Sequence, residues 1–169
     1  EIERDVDGVP ETIVSPDGLE TSLTIGTGGY LEEITNPEGE THEFHYTSGG
    51  LLDWRQTPLD HQYDYTYDAD GRLVLAEDPE GGSKTFARTE LGPRDYEVTM
   101  TTELGREVSY RVENTFGTQT RTNTRPDGTQ TVRVIDPDGV MTWTYPDGTV
   151  KTVSTCLLYT SDAADDQAC

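Results

Sequence analysis

The residues with the most evident potential for metal chemistry are the three histidines of this 169-residue chain. His42 and His45 lie three positions apart in the segment HEFH, and His61 lies in a different part of the chain. Two imidazoles can bind one metal ion only when both rings reach the same place. On a β-strand, positions i and i+3 point to opposite faces. We therefore interpret the histidines as ordinary strand or surface residues and predict no metal site.

The 33 carboxylates are the second source of potential chemistry, because a pair of them can act as general acid and base. No pair is set apart by an unusual local sequence. The segment GTGGYLEEI lacks the glycine-rich nonapeptide of calcium-binding β-rolls. The chain also has no P-loop, zinc-ligand spacing or nucleophile elbow. We therefore predict that the protein is not an enzyme, has no catalytic residue and uses no cofactor.

The elements that would position any site form an internal repeat. Glycines recur every 21 residues, and prolines and large apolar residues follow the same step. The main series are Gly8, Gly29, Gly50, Gly71 and Gly92; Pro16, Pro37, Pro58 and Pro79; Gly18, Gly39, Asp60 and Gly81; Leu31, Leu52 and Leu73; and Leu23, Phe44, Tyr65 and Phe86. A chance origin is implausible for several series in one register.

Each 21-residue unit contains two turn signals, one Pro-Asp/Glu-Gly and the other Gly-Gly or Asp-Gly. Proline fits the first central position of such a turn, and glycine fits the position that needs a positive φ. The intervening residues alternate between apolar and polar, which is typical of strands with one covered face. We predict an all-β fold, an antiparallel β-hairpin repeat array that runs through residues 1–155 without an internal boundary, with shorter steps after Gly92.

The alternation also predicts which side chains share a face. Tyr63, Tyr65 and Tyr67 should lie on one face of their strand, with Asp64 and Thr66 on the other. In the second half of the chain, the candidates for the covered face are Tyr110, Val132, Val134, Trp143 and Tyr145.

Composition limits the partners of the protein. The formal net charge is −21, and the 12 basic residues form no cluster along the sequence. A strongly acidic surface repels nucleic-acid phosphates and anionic lipids, so we predict no nucleic acid and no membrane insertion. Hydrophobic residues make up only 31% of the chain, a content that favours disorder, but disordered segments do not keep aromatic residues in register.

One stretch resembles a known repeat family. The pattern Tyr67-Asp68-x-x-Gly71-Arg72-Leu73, followed by Pro79-x-Gly81, is similar to the YD repeat of bacterial Rhs proteins, of the B and C components of Tc toxins and of teneurins. The preceding segment YTSGGLLDWRQTP is a degenerate copy that keeps Tyr46, Gly50, Leu51 and Pro58. The repeat-defining residues, which we interpret as structural, are Tyr46, Gly50, Tyr67, Asp68, Gly71, Arg72, Leu73, Pro79 and Gly81.

The resemblance implies a secreted or cell-surface protein whose β-strip spirals into a shell around a C-terminal toxin domain. Its partners would then be the rest of the shell and the enclosed toxin. The family also has a self-cleaving core with a DPxG-type motif. The core sequence that should precede Asp136-Pro137-Asp138-Gly139 is missing here, so we interpret these residues as a turn. The alternative function is an adhesion or carbohydrate-binding module, with glycans as partners and Trp54 or Trp143 as contact platforms.

Residues 156–169, CLLYTSDAADDQAC, do not follow the repeat and contain both cysteines. They resemble the translation of a transposase adapter used to prepare sequencing libraries, so we expect the natural sequence to end near Thr155. A capping tail with a disulfide is the structural alternative. Since Glu1 falls inside a repeat, we expect the natural part to be a piece of a longer array. Without the three aspartates of the tail, its net charge is −18.

Overall fold

A computed structural model describes residues 1–154. The prediction for residues 156–169 lies outside these described residues. The chain divides into two units, Glu1–Phe86 and Ala87–Cys169, and β9 spans the point of division. The described residues contain no helix and form fifteen strands: β1 (Ile2–Arg4), β2 (Pro10–Val14), β3 (Glu20–Ile25), β4 (Leu31–Thr35), β5 (Thr41–Tyr46), β6 (Leu52–Gln56), β7 (Gln62–Tyr67), β8 (Leu73–Glu77), β9 (Ser83–Glu90), β10 (Tyr96–Thr102), β11 (Glu107–Thr115), β12 (Thr118–Thr124), β13 (Gln130–Ile135), β14 (Met141–Thr144) and β15 (Val150–Val153).

In the first unit, each strand pairs antiparallel with the next along the chain. The strands β2, β4, β6 and β8 begin at positions 10, 31, 52 and 73, and β3, β5, β7 and β9 begin at 20, 41, 62 and 83. Both series advance by the 21 residues seen in the sequence. The predicted all-β array of antiparallel hairpins is therefore confirmed.

In the second unit, β10 to β15 pair in the same sequential, antiparallel manner. Their first residues are separated by 9 to 12 positions, compared with 10 or 11 for β2 to β9, so the strict 21-residue period is lost but the step from strand to strand is not shorter. Gly92 continues the glycine series in sequence but is not among the residues with positive φ. Its turn is closed differently, because the Gly92 amide donates to the Asp95 carbonyl at 3.2 Å and the Asp95 amide donates to the Gly92 carbonyl at 3.4 Å.

Most turns share one backbone geometry. In Asp68–Arg72, the Asp68 amide donates to the Arg72 carbonyl at 2.9 Å, and the Gly71 amide donates to the Asp68 carbonyl at 3.0 Å. This is a type I turn followed by a left-handed residue that forms a bulge. Gly71 takes that position with φ of 76°, and Asp60 takes it with φ of 59° in a turn that lacks glycine.

A second kind of bulge recurs inside the first unit. The register of β1/β2, β3/β4, β5/β6 and β7/β8 shifts by one residue near the turn. The extra residue is always on the second strand of the hairpin, at Glu11, Glu32, Asp53 and Val74. The bulge changes which side chains face each other, and sequence alternation alone does not reveal it.

No hydrophobic side chain among residues 1–154 is fully buried. Within each unit, most of the larger apolar residues of the strands are half-buried. The predicted covered face of the second half is partly wrong. Tyr110 and Trp143 share one face, whereas Val132 and Val134 lie on the opposite face, and Tyr145 is the first residue of a turn.

Candidate functional site

The first unit carries two faces of different chemistry. We call one of them the aromatic face, and its strand residues are mainly large and apolar. They include Leu23, Ile34, Phe44, Arg55, Tyr63, Tyr65, Tyr67 and Leu73. We call the other the acidic face. Its residues include Glu33, Glu43, His45, Trp54, Asp64 and Glu77.

Arg55 organises the centre of the aromatic face. It lies between Phe44 on one neighbouring strand and Tyr63 on the other. Its guanidinium carbon is 4.1 Å from the centroid of the Tyr63 ring, and its Nε donates to the Tyr65 hydroxyl at 3.1 Å. A cation over an aromatic face is attracted by the ring quadrupole. These contacts therefore link β6 to β7 without burying a core.

Tyr67 links one hairpin to the preceding one. Its hydroxyl donates to the Leu52 carbonyl at 2.7 Å. Burial, together with the neighbouring Tyr65 hydroxyl and the Asp53 carboxylate, raises the pKa of Tyr67 above its ordinary value. The hydroxyl therefore remains protonated and keeps its role as donor throughout the physiological range.

The acidic face brings like charges together. Glu33 lies directly opposite Glu43, and Asp64 lies directly opposite Glu77. Like charges in such positions repel, so this face is destabilised by its own charge. No group of three or more potential metal ligands forms among residues 1–154, and the pairs alone do not define a cation site.

His45 and Trp54 form a stack on the acidic face. Their ring centroids are 5.4 Å apart, with 4° between the ring planes. The His45 Nδ1 is 2.7 Å from the Asp53 Oδ1, where Asp53 is the extra residue of a bulge. His42 is on the other face of β5, as the spacing of HEFH predicts. One face of the Trp54 ring is thus covered by His45.

The repeat-defining residues from Tyr67 to Leu73 all lie around one turn. The Asp68 Oδ1 accepts hydrogen bonds from the amides of Asp70 and Arg72, both at 2.9 Å. The Arg72 Nη1 pairs with the Asp70 carboxylate at 2.7 Å, so this contact stays within the turn. Leu73 begins β8 directly opposite Tyr67. The arrangement fixes a turn and presents no reacting group.

The equivalent residues of the preceding repeat make a different contact. Tyr46 stacks on Tyr30, with ring centroids 4.9 Å apart. The Tyr30 side chain also lies against Gly50. A Cβ atom at Gly50 would collide with the Tyr30 hydroxyl. One repeat later, Leu51 lies against Gly71 in ordinary van der Waals contact. Gly50 and Gly71 therefore each adopt a positive φ and leave room for a side chain from the neighbouring turn.

Pro79 and Gly81 belong to the alternate turn of the repeat, Asp78–Gly82. Gly81 has φ of 86° and donates its amide to the Asp78 carbonyl at 3.0 Å. The Asp78 side chain repeats the role of Asp68, because its Oδ1 accepts from the Glu80 and Gly82 amides. A first-position oxygen of this kind is a turn-capping signal that the sequence contains in nearly every repeat.

Two later turns are capped by their third residue instead. In one, the Asp127 Oδ1 accepts from the Thr129 hydroxyl at 2.7 Å and from its amide at 2.9 Å. These two hydrogen bonds lower the pKa of Asp127. The Asp147 carboxylate accepts from the Thr149 amide in the same way, and its pKa is lowered as well. The segment Asp136–Val140 has the ordinary turn hydrogen bonds.

The second unit carries a row of cations that sequence inspection misses. Four residues form one row across the strands of this unit: Arg121 on β12, Arg133 on β13, Trp143 on β14 and Lys151 on β15. Each residue lies directly opposite the next one. We call this surface the basic face. The basic residues are thus unclustered along the sequence but clustered on the sheet. The two halves of the described chain also differ in net charge. Residues 1–86 have four basic and 20 acidic residues, a net charge of −16, whereas residues 87–154 have eight basic and ten acidic residues, a net charge of −2.

No protein-family model matches this chain, and no curated protein matches it significantly. The similarity to the YD repeat therefore depends on the residues and spacing of the sequence itself. None of residues 1–154 forms a helix of the length and apolarity needed to cross a bilayer.

Proposed function

We propose that this chain is a wall segment of an Rhs-type β-shell that encloses or carries a C-terminal toxin domain. The proposal is supported mainly by one observation: residues 1–154 form hairpins with no fully buried apolar side chain. A sheet whose apolar side chains are not buried by its own residues is suited to cover another domain. In this proposal the cargo lies against the aromatic face of the first unit.

The chemistry of the turns is consistent with a structural role. Most repeat-defining residues close a turn, cap it or contact a neighbouring hairpin, as described for Tyr67, Asp68 and Gly71. The mechanism is steric. The paired strands form a wall, and the backbone donors and acceptors of this wall form hydrogen bonds with the neighbouring strands. The wall keeps the cargo away from the cell that makes it.

A module for adhesion or carbohydrate binding is the alternative proposal, with Trp54 or Trp143 as ring platforms. Two contacts weigh against ring stacking. His45 covers one face of Trp54 at 5.4 Å, and cations lie over Trp143, with Arg133 at 5.2 Å and Lys151 at 5.7 Å. A sugar ring would have to displace these neighbours in order to stack.

The deciding experiment is to read the genomic DNA on both sides of the codons for residues 1–155. The shell proposal expects further Tyr-Asp repeats, a core and an unrelated C-terminal domain in the same frame. A wall anchor or a transmembrane span downstream would instead support adhesion. A stop codon directly after residue 169 would contradict the shell, since no cargo domain would follow.

A biochemical test then uses the full protein. If the repeats enclose the C-terminal domain, that domain should resist added protease until the wall is weakened. Gly50→Ala weakens the wall, because it strains a turn and collides with Tyr30. Gly39→Ala is the matched control, since an added Cβ there meets no atom within 4 Å. Rapid digestion of the cargo in the unaltered protein would contradict enclosure.

A further inference from the structure

We propose that the basic face of the second unit binds an anionic polysaccharide whose charges are carboxylates. The surface consists of Arg121, Arg133, Trp143 and Lys151, with Tyr110, Asn123 and Thr131 in the adjacent row. This inference is independent of the shell proposal, because it concerns a different surface and a different ligand.

The first observation is the separation of charge between the two faces. Every acidic residue within β10 to β15 lies on the face opposite the basic face, at Glu97, Glu107 and Glu113. Arg111 is also on that opposite face, where it pairs with Glu113 at 2.7 Å. The strands thus present three cations and no carboxylate on the basic face. An otherwise acidic protein here carries a local positive field.

The second observation is that the central cation has no counter-ion. Among residues 1–154, no carboxylate lies within 4.0 Å of Arg133. Its Nε is buried and forms no hydrogen bond with the described residues, and its Nη2 donates to the Met141 sulfur at 3.1 Å. A thioether is a weak acceptor. Arg121 lies directly opposite, so the two guanidinium groups also repel. A bound carboxylate relieves this repulsion and offers a stronger acceptor than the thioether.

The third observation is the shape of the surface. Neighbouring strands lie about 4.8 Å apart, so the row from Arg121 to Lys151 spans roughly 14 Å across four strands. The charges lie along a line on an open sheet rather than in a cavity. A linear polymer with repeated charge matches this geometry better than a small ion does. The hydroxyl and amide groups of Tyr110, Asn123 and Thr131 lie beside the line and suit the hydroxyls of a sugar chain.

Two other polyanions fit less well. Single-stranded nucleic acid binds with aromatic rings on which bases stack, but cations already lie over the Trp143 ring. An acidic peptide that binds a sheet usually adds a strand at an edge. Arg121 and Arg133 lie on β12 and β13, whose backbone groups already pair on both sides.

The test is calorimetric titration of the whole chain with short oligogalacturonate at low ionic strength. We expect saturable binding that weakens steeply with added salt. The fully methyl-esterified oligomer keeps the sugar chain and removes the charge, and it should not bind. Poly-glutamate and a single-stranded DNA oligomer should bind at least tenfold more weakly. Equal binding of either polyanion, binding of the ester, or no binding of oligogalacturonate would overturn the proposal.

Variants locate the site. Arg133→Met keeps an unbranched stem and removes the charge, and we expect roughly a tenfold loss of affinity, as for a charge-assisted hydrogen bond. Arg133→Lys keeps the charge but loses the planar fork, and it should recover only part of the affinity. Arg111→Gln is the matched control, because it makes the same change in net charge on the opposite face. An equal loss with this control would show that only net charge matters and would overturn the assignment.

A second readout keeps the test independent of folding. The chain has two tryptophans, so a Trp54→Phe background leaves Trp143 as the only source of tryptophan fluorescence. Ligand binding should change this emission, because Arg133 and Lys151 lie over the ring. Unchanged emission under saturating ligand would place the binding elsewhere. Circular dichroism spectra that match those of the parent chain would show that the variants remain folded.

Discussion

Replacing Phe116 with asparagine should stabilise the β11–β12 hairpin, although it removes a large aromatic side chain. Phe116 and Gly117 form a two-residue loop between the paired residues Thr115 and Thr118. Their φ angles are 50° and 89°, as a type I′ turn requires. Phenylalanine tolerates a left-handed backbone poorly, whereas Asn-Gly is the preferred sequence for this turn.

The magnitude follows from the backbone and the exposure. The left-handed conformation costs an ordinary residue about 1–2 kcal/mol, and asparagine avoids part of that cost. The Phe116 side chain is 100% exposed, so its removal sacrifices no burial. We expect a gain of about 1 kcal/mol in the free energy of unfolding. For a unit of this size, that gain corresponds to a rise in Tm of about 4–8 °C.

The assay combines thermal unfolding with amide hydrogen exchange at Asn114 and Gln119, which face each other beside the loop. Phe116→Ala is the control, because it removes the ring without making a left-handed backbone easier. Stabilisation by asparagine but not by alanine would support backbone strain. Equal gains would assign the effect to loss of the ring. A destabilised asparagine variant would refute the reasoning, since the ring would then have a covering partner.

Three further outcomes test other parts of the fold. Gly50→Ala and Gly8→Ala both place alanine at a φ near +80°, which costs about 1 kcal/mol, but only the first also collides with Tyr30. Urea unfolding should therefore show the greater loss for Gly50→Ala, and the excess should vanish in a Tyr30→Ala background. Glu43→Gln removes a repulsion with the carboxylate directly opposite, so it should raise stability by about 0.2–1 kcal/mol, less at high salt; no gain at low salt would contradict the repulsion. The lowered pKa of Asp127 means that its contribution to stability is present above the unfolded pKa and is lost as pH falls through the folded pKa; exchange of the amide it caps should quicken in acid relative to an Asp127→Asn variant.

The turns and strands of the first unit could be predicted because their signals are local. Glycine at a positive φ, as at Gly71, and an oxygen at the first turn position, as in Asp68, act within five residues. The period then repeats the same local solution. Asp60 shows how strong the pattern is, since it adopts the left-handed conformation in the place of the missing glycine.

The faces were harder to predict because they depend on register. One extra residue in a hairpin, such as Asp53, shifts every later partner by one position. Hydrophobicity predicts Val132 and Val134 on the same face as Trp143, but the register pairs Trp143 with Arg133 and so places the two valines on the opposite face. The basic face was missed for a related reason: Arg121 and Arg133 are neighbours only across two strands. The net charges of the two halves show the asymmetry but not the row.

The lack of buried apolar residues determines how far the effect of one destabilising substitution should extend through the first unit. Without a shared core, each hairpin depends on its neighbours, so stability accumulates from contacts between successive repeats. The bond from the Tyr67 hydroxyl to the Leu52 carbonyl is one such contact, and both groups are partly buried. Tyr67→Phe removes the donor and leaves that carbonyl unsatisfied, which should cost about 0.5–1.5 kcal/mol.

Hydrogen exchange can show whether that loss stays local. Amide protection should fall in β6 and β7, while β2 and β3 remain as protected as in the parent chain. Tyr63→Phe is the matched control, because the Tyr63 hydroxyl forms no hydrogen bond within residues 1–154, and its removal should leave protection unchanged. Uniform loss of protection across the first unit would mean that the hairpins unfold together. A wall built from nearest-neighbour contacts would then be the wrong description of how this sheet holds its shape.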